Sequence, residues 1–205
     1  MLNNKGFDLW ADGYDRDVGL SDEENSYPFA GYKAVLGRIY ETVLRRDHPS
    51  VLDLGFGTGV LAARLYEQGC EIYGQDFSAR MLELARARMP GARLYQGDFA
   101  RGLVAPLTAR RYDFVVATYA LHHLTDAEKP DFIRQVLGLL REDGQLLVGD
   151  VAFATRADLE RCRADAGADW DDEEYYFVAE EIRKIFPDAE FERMSDCAGV
   201  LRFRP

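Results

Sequence analysis

Residues 51–65 read VLDLGFGTGVLAARL. The first four, three of them apolar, suit a buried strand, and Leu61, Ala62 and Leu65 then return at helical spacing. Between the two patterns stand Gly55, Gly57 and Gly59, three glycines in five residues, which is more than a tight structural turn requires. Glycine permits positive φ and lets a ligand touch the backbone. The open amides at the start of the following helix offer donors to a polar or anionic group. A glycine loop placed between strand and helix therefore predicts a nucleotide or nucleoside site in an α/β fold. The dinucleotide fingerprint would need glycine at position 60, where this chain has Val60. That glycine serves close helix–strand packing beside a pyrophosphate, so its absence favours a nucleoside ligand without one.

Outward from this loop, strands and helices alternate. Strands are expected at Glu71–Gln75, Arg93–Gln96, Tyr112–Thr118 and Gln145–Val151, with a turn at Glu142–Gly144 before the last. Ser78 is placed to N-cap a helix carrying Met81, Leu82, Ala85 and Met89 on one face. Thr125 to Glu128 matches a capping box opening a helix with Phe132, Ile133, Val136, Leu137 and Leu140 on one side. Pro130 falls at its fifth position and breaks or delays it. Residues 155–186 read as two helices broken near Gly167, and strands at Glu190–Met194 and Gly199–Phe203 follow. The connection between those two is too short for anything but an antiparallel pair. The expected fold is α/β: a doubly wound, mostly parallel seven-stranded sheet with an antiparallel C-terminal pair and helices on both faces. It forms a single domain over residues 1–205, with an N-terminal helical cap or lid (1–49), a cofactor-binding core (50–151) and a helical insertion plus the strand pair (152–205).

Two acids follow the next strands. Asp76 lies 21 residues after Gly55, where a carboxylate accepts both ribose hydroxyls, the alternative being a solvated loop acid. Asp98, in Gly-Asp-Phe, is placed to accept from the exocyclic amine of adenine with Phe99 against the ring, although Gly-Asp is also a common turn. With the glycine loop, these segments and YDFVVATYALHHL (112–124) resemble the class I S-adenosylmethionine-dependent methyltransferases over residues 50–151. A narrower similarity reaches nearly end to end. FDLWADGYDRDV (7–18), TYALHHLTDAEK (118–129), DVAFAT (150–155), EEYY (173–176) and FERMSDCAGVLRF (191–203) are similar to the small YrrT-like bacterial methyltransferases, whose substrate is not established. The resemblance implies a Rossmann-like fold, S-adenosyl-L-methionine as cofactor, and cofactor contacts from Gly55, Asp76 and Asp98. Asp53, Phe56, Gly57, Gly59, Phe77, Phe99 and Thr118 complete the expected set, and Tyr14 is expected in a lid. Phe56 and Pro130 depart from the family pattern without removing a cofactor-binding side chain.

Methyl transfer from a sulfonium is an in-line displacement, so the protein mainly aligns and desolvates the acceptor and at most removes a proton. The candidate catalytic residues are His122, His123 and Tyr119, just beyond the fourth strand. Read as extended, the His pair points to opposite sides, so one ring at most faces a ligand and no metal site is expected from the two. A purely structural role for both stands beside the base reading. Trp10, Tyr14, Tyr27, Phe29 and Tyr32 form an aromatic N-terminal section, read as a lid over the sulfonium or as an amphipathic helix covering the sheet. Residues 168–176, ADWDDEEYY, concentrate five carboxylates, expected at a helix N-terminus in preference to a metal site. Tyr175 and Tyr176 are read as projecting into the substrate pocket or, more ordinarily, into the core.

Composition bounds the partners. The 205 residues carry 36 acidic and 25 basic side chains, a net charge of −11 that disfavours nucleic acid and anionic membranes. The sequence has no apolar run of membrane-spanning length, and its polar N-terminus is unlike a signal peptide. Three cysteines without CxxC spacing fit a reduced cytosol, hence a cytoplasmic protein. The expected partner is a small-molecule methyl acceptor. The alternatives are a nicotinamide-dependent oxidoreductase, opposed by Val60 and the antiparallel ending, and a non-catalytic cofactor-binding protein.

Overall fold

A computed structural model of the chain describes residues 27–205, so Trp10 and Tyr14 lie outside the described residues. Its centre is β1 (Ser50–Leu54), buried at every position and flanked by two parallel neighbours, β2 (Glu71–Asp76) and β4 (Tyr112–Thr118). β3 (Arg93–Gln96) continues the sheet beyond β2, and β5 (Leu140–Phe153) beyond β4, both parallel. β8 (Ala198–Phe203) then pairs antiparallel with β5, and β7 (Glu190–Arg193) antiparallel with β8. The main path is β3-β2-β1-β4-β5-β8-β7, the expected seven strands with the expected antiparallel end.

Alternation along the strands sorts the core into two layers. Val51, Phe114, Val116 and Leu147 face one side, where they meet helices α1 (Tyr32–Val43), α2 (Val60–Glu67) and α3 (Ala79–Arg88). Leu52, Leu54, Val115, Ala117 and Val148 face the other, with α5 (Lys129–Leu137) and α7 (Ala179–Ile185) packed over them. α4 (Ala105–Thr108) is a single turn on that side, and α6 (Arg156–Ala166) follows β5. α1 buries Val35, Ile39 and Val43 completely, and each such side chain stabilises by about 1.5–3 kcal/mol. The predicted cap of α3 is present, with Met81 N–H donating to Ser78 Oγ at 3.1 Å.

Four local expectations change. The turn at Glu142–Gly144 lies inside β5 as a bulge: Tyr112 pairs Leu140 while Phe114 pairs Gln145, so the chain loops out without leaving the sheet. The Thr125–Glu128 hydrogen bonds form, but in a turn ahead of the helix. α5 starts at Lys129, which puts Pro130 in the first turn, where its missing N–H costs nothing. The segment 155–186 is helical only at its ends. Between α6 and α7 run a short 3-10 turn at Gly167–Asp169, an irregular stretch and an eighth strand, β6 (Phe177–Val178), parallel to the end of β5. The five acids of 169–174 therefore stand in loop and turn backbone, not at a helix N-terminus. Lastly, Leu121–His123 is a 3-10 turn and not an extended segment.

Candidate active site

The strand order reverses direction between β1 and β4, and the carboxyl ends of those strands are where an open α/β sheet binds ligands. A cleft of about 700 Å³, counting its open mouth, lies there. It is lined by the glycine loop, by Asp76 and Phe77 after β2, by Phe99 after β3, and by Thr118, Tyr119 and His123 after β4. Tyr32 and Leu36 of α1 complete one wall.

The loop has the shape its glycines permit. Gly55 sits at φ +72°, and a Cβ there would come within 2.6 Å of Ala120 Cβ. Gly57 sits at φ +55° with open space where a side chain would be. Gly59 ends the loop as the N-cap of α2 without lining the cleft, whereas Phe56, Thr58 and Val60 do line it. Asp76 holds this loop: its Oδ2 accepts from Gly57 N–H and its Oδ1 from Ser78 N–H, both at 2.9 Å. One carboxylate thus ties the glycine turn to the start of α3.

Asp53, expected among the cofactor contacts, does not line the cleft: it is 1% exposed and its Oδ1 has no hydrogen-bond partner. Burial, reinforced by the Asp76 charge, pushes its carboxyl up to about 8. Asp98 is not in the cleft wall. Its carboxylate accepts from Ala100 N–H at 3.0 Å, capping a 3-10 turn, and faces Arg101 at 3.3 Å. Phe99, one residue on, is buried and lines the cleft.

The two histidines part company, although not by strand alternation. His123 lines the cleft, and burial, with the adjacent His122, pushes its imidazole down to about 4. His122 turns inward. Its Nδ1–H donates to Asp150 Oδ1 at 2.6 Å, and its Nε2 stands 3.4 Å from Glu174 Oε1. Burial opposes a charge on that ring, but Asp150 and Glu174 outweigh it and hold the group above the usual imidazole range. Because the 3-10 turn rotates both rings to neighbouring directions, their centroids are 4.3 Å apart. Tyr119 adopts φ +50°, which aims its ring at Phe29 (5.4 Å) and Tyr32 (5.2 Å) and into the cleft wall.

The aromatic N-terminal section is divided in the same way. Phe29 and Tyr32 pack on Tyr119, whereas Tyr27 stacks on Trp170 at 5.0 Å, away from the cleft. Neither Tyr175 nor Tyr176 lines it. Tyr175 is 39% exposed, and Tyr176 is buried against Trp170 and donates its hydroxyl to Glu174 at 2.9 Å. Asp150 was not singled out from the sequence, and Glu174 entered only as one of the five acids of 168–176. A signal existed for Asp150, a carboxylate inside the largely apolar run QLLVGDV.

A methyltransferase domain family matches residues 51–144, the stretch that builds the glycine loop, the acids and β4. An uncharacterized methyltransferase of Geobacillus kaustophilus is 37% identical over 188 residues, spanning 88% of this chain and 84% of the relative. Another, from Anoxybacillus flavithermus, is 38% identical over 160 residues, spanning 78% and 72%. The chain belongs to the S-adenosylmethionine-dependent methyltransferases. Solved structures agree on the fold of this methyltransferase. A complex of DhpI with S-adenosylhomocysteine superposes with a TM-score of 0.72 at 17% identity, covering 98% of this chain and 94% of that one. The magnesium protoporphyrin IX methyltransferase of Synechocystis, with the same product bound, gives 0.65 at 21% identity over 85% and 83%. The cofactor of the methyltransferase is S-adenosylmethionine, and the site suits it: a glycine loop open above Gly57, an acid at the end of β2, and the Phe77 and Phe99 rings in the wall.

Proposed function

We propose that this methyltransferase acts on a small-molecule acceptor in the cytosol. The observation that carries the reading is the cleft itself, which Tyr32, Tyr119 and His123 line together with the glycine loop. A cleft of this size leaves space for a compact acceptor, and the net charge of −11 opposes polyanions. Among the described residues no helix is long and apolar enough to cross a membrane. All three cysteines are free, which suits a reducing compartment.

When bound, the cofactor supplies an electrophilic methyl group. The chain's own residues do the rest. The glycine loop and Asp76 hold the nucleoside; the family resemblance implies that role for Gly55, Asp76 and Asp98. Phe77 and Phe99 offer flat apolar faces, and Thr118 a hydroxyl at the end of β4. Tyr32 and Tyr119 exclude water from the acceptor's side and favour a cation by their ring faces. His123 is neutral at physiological pH, so it orients the acceptor's polar atom or takes its proton. His122 has no place in the cleft wall. Asp98 is left out of the binding set because, unlike Asp76, it does not line the cleft, and its Oδ1 caps its own turn.

The test is a radiolabelled methyl-donor assay across thiols, amines, carboxylates and phenols, with protein and nucleic acid acceptors alongside. Label in one metabolite class supports the reading. Label appearing only in protein or nucleic acid overturns it.

A further inference from the structure

Behind the cleft wall, three potential ligand groups converge. One ligand atom each of His122, His123 and Glu174 lie within 4.8 Å of one another. We infer that these three residues form a binding site for a borderline divalent transition-metal ion, with zinc the first candidate.

The donor set is the first argument. Two imidazoles and a carboxylate are the ligands zinc takes in three-ligand sites, and they suit magnesium or calcium poorly. Spacing is the second. At zinc–ligand distances near 2.1 Å, two ligands of a tetrahedral ion stand about 3.4 Å apart, and His122 Nε2 to Glu174 Oε1 measures 3.4 Å. His123 closes the triangle with a small ring movement, because its ring already stands 4.3 Å from that of His122.

The third argument is the supporting shell. A metal-bound imidazole characteristically donates its other N–H to a carboxylate, which sets the tautomer and orients the ring. His122 does this through Nδ1 to Asp150, which is wholly buried. Asp150 is anchored in turn, its Oδ1 also accepting from Val151 N–H at 2.9 Å. Glu174 is held likewise: Tyr176 donates to its Oε2, leaving Oε1 toward His122. The charge balance agrees. Two carboxylates flank the imidazoles, and the nearby cation, Lys129, is bound to Asp126 at 2.9 Å and to the Tyr175 carbonyl.

Three protein ligands leave a position for an outside atom. His123 belongs to both the cluster and the cleft wall, so that position serves an acceptor's thiol, hydroxyl or amine. This last step rests on the proposed function; the metal site itself does not.

Equilibrium dialysis of the metal-stripped full chain against zinc tests the site, with cobalt(II) absorption as the spectroscopic readout and S-adenosylmethionine binding measured in parallel. One zinc per chain is expected. Glu174→Gln and His123→Ala should each weaken zinc at least tenfold, and Asp150→Asn by about 10–100-fold as an outer-shell change. Circular dichroism confirms that each variant is folded. The cobalt spectrum should show nitrogen and oxygen ligation without a thiolate band, and Cys162→Ser should bind as the wild type does. Failure of the wild type to bind zinc stoichiometrically, or unchanged affinity in folded Glu174→Gln and His123→Ala, overturns the site. Retained cofactor binding in that event leaves the methyltransferase reading standing.

Discussion

Asp53→Asn isolates the electrostatic cost of the carboxylate beneath the glycine loop. In the folded chain this carboxyl is pushed up to about 8 by burial and by the Asp76 charge, against an ordinary value of 3.8. Between those values the native state binds more protons than the unfolded chain. The sign follows directly: the stabilisation is complete below the unfolded value and is lost as pH rises through the folded one. Each pH unit in that window removes up to about 1.4 kcal/mol, so raising the pH from about 5.5 to about 7.5 should cost wild type about 2–3 kcal/mol through this group alone. Asparagine has the same shape and does not titrate. Its amide has no partner at the Oδ1 position, which adds a penalty of about 1–3 kcal/mol at every pH. Whether the variant is more or less stable at one pH therefore decides nothing; the slope of the difference does. Urea denaturation followed by far-ultraviolet circular dichroism, run without cofactor at several pH values, measures it. The variant should gain on wild type by about 2–3 kcal/mol over those two units. Parallel stability curves would refute the assignment of a proton to Asp53.

Asp76→Ala should weaken S-adenosylmethionine binding by about 1–3 kcal/mol, because it strips the acceptor for Gly57 and Ser78 N–H as well as the proposed ligand contact; calorimetry with unchanged affinity counts against the role. Gly55→Ala should destabilise clearly more than Gly57→Ala, since the first meets Ala120 at 2.6 Å and the second only open space. Denaturant midpoints should place Gly57→Ala within about 1–2 kcal/mol of wild type, the left-handed backbone term alone. Asp113 accepts from Ser50 N–H (2.8 Å), Ser50 Oγ (2.7 Å) and Arg46 (2.7 Å). Although burial opposes the charge, these partners hold its carboxyl below the usual range. Its contribution is present above the unfolded value near 3.8 and fades as pH falls through the folded one. Asp113→Ala should cost about 2–4 kcal/mol near neutrality and less in strong acid, read from denaturation at both pH values.

The central half of the fold was legible because its signals are local. A glycine loop, a capped helix at Ser78 and an apolar strand at Tyr112–Thr118 each carry their own pattern over a few residues, and each sits where that pattern placed it. The antiparallel ending was legible for a geometric reason, since four residues separate β7 from β8 and no crossover fits. What failed was conformation set by distant partners. Phe177-Val178 has no periodicity to reveal a strand; it becomes one because Ala152 and Phe153 offer it an edge. That pairing brings residues 174–178 beside the end of β5, which is how Glu174 comes to face a histidine 52 positions earlier. The His pair shows the same limit at shorter range. Alternation was the right rule for a strand and the wrong one for a 3-10 turn, whose repeat of about three residues lets adjacent rings stay close. The expectation of no metal site from the two histidines rested on that alternation, and the acids of 168–176 were assigned to a helix N-terminus that does not form. With the turn in place the argument reverses, because the two rings now stand beside each other and a carboxylate that sequence distance concealed stands with them.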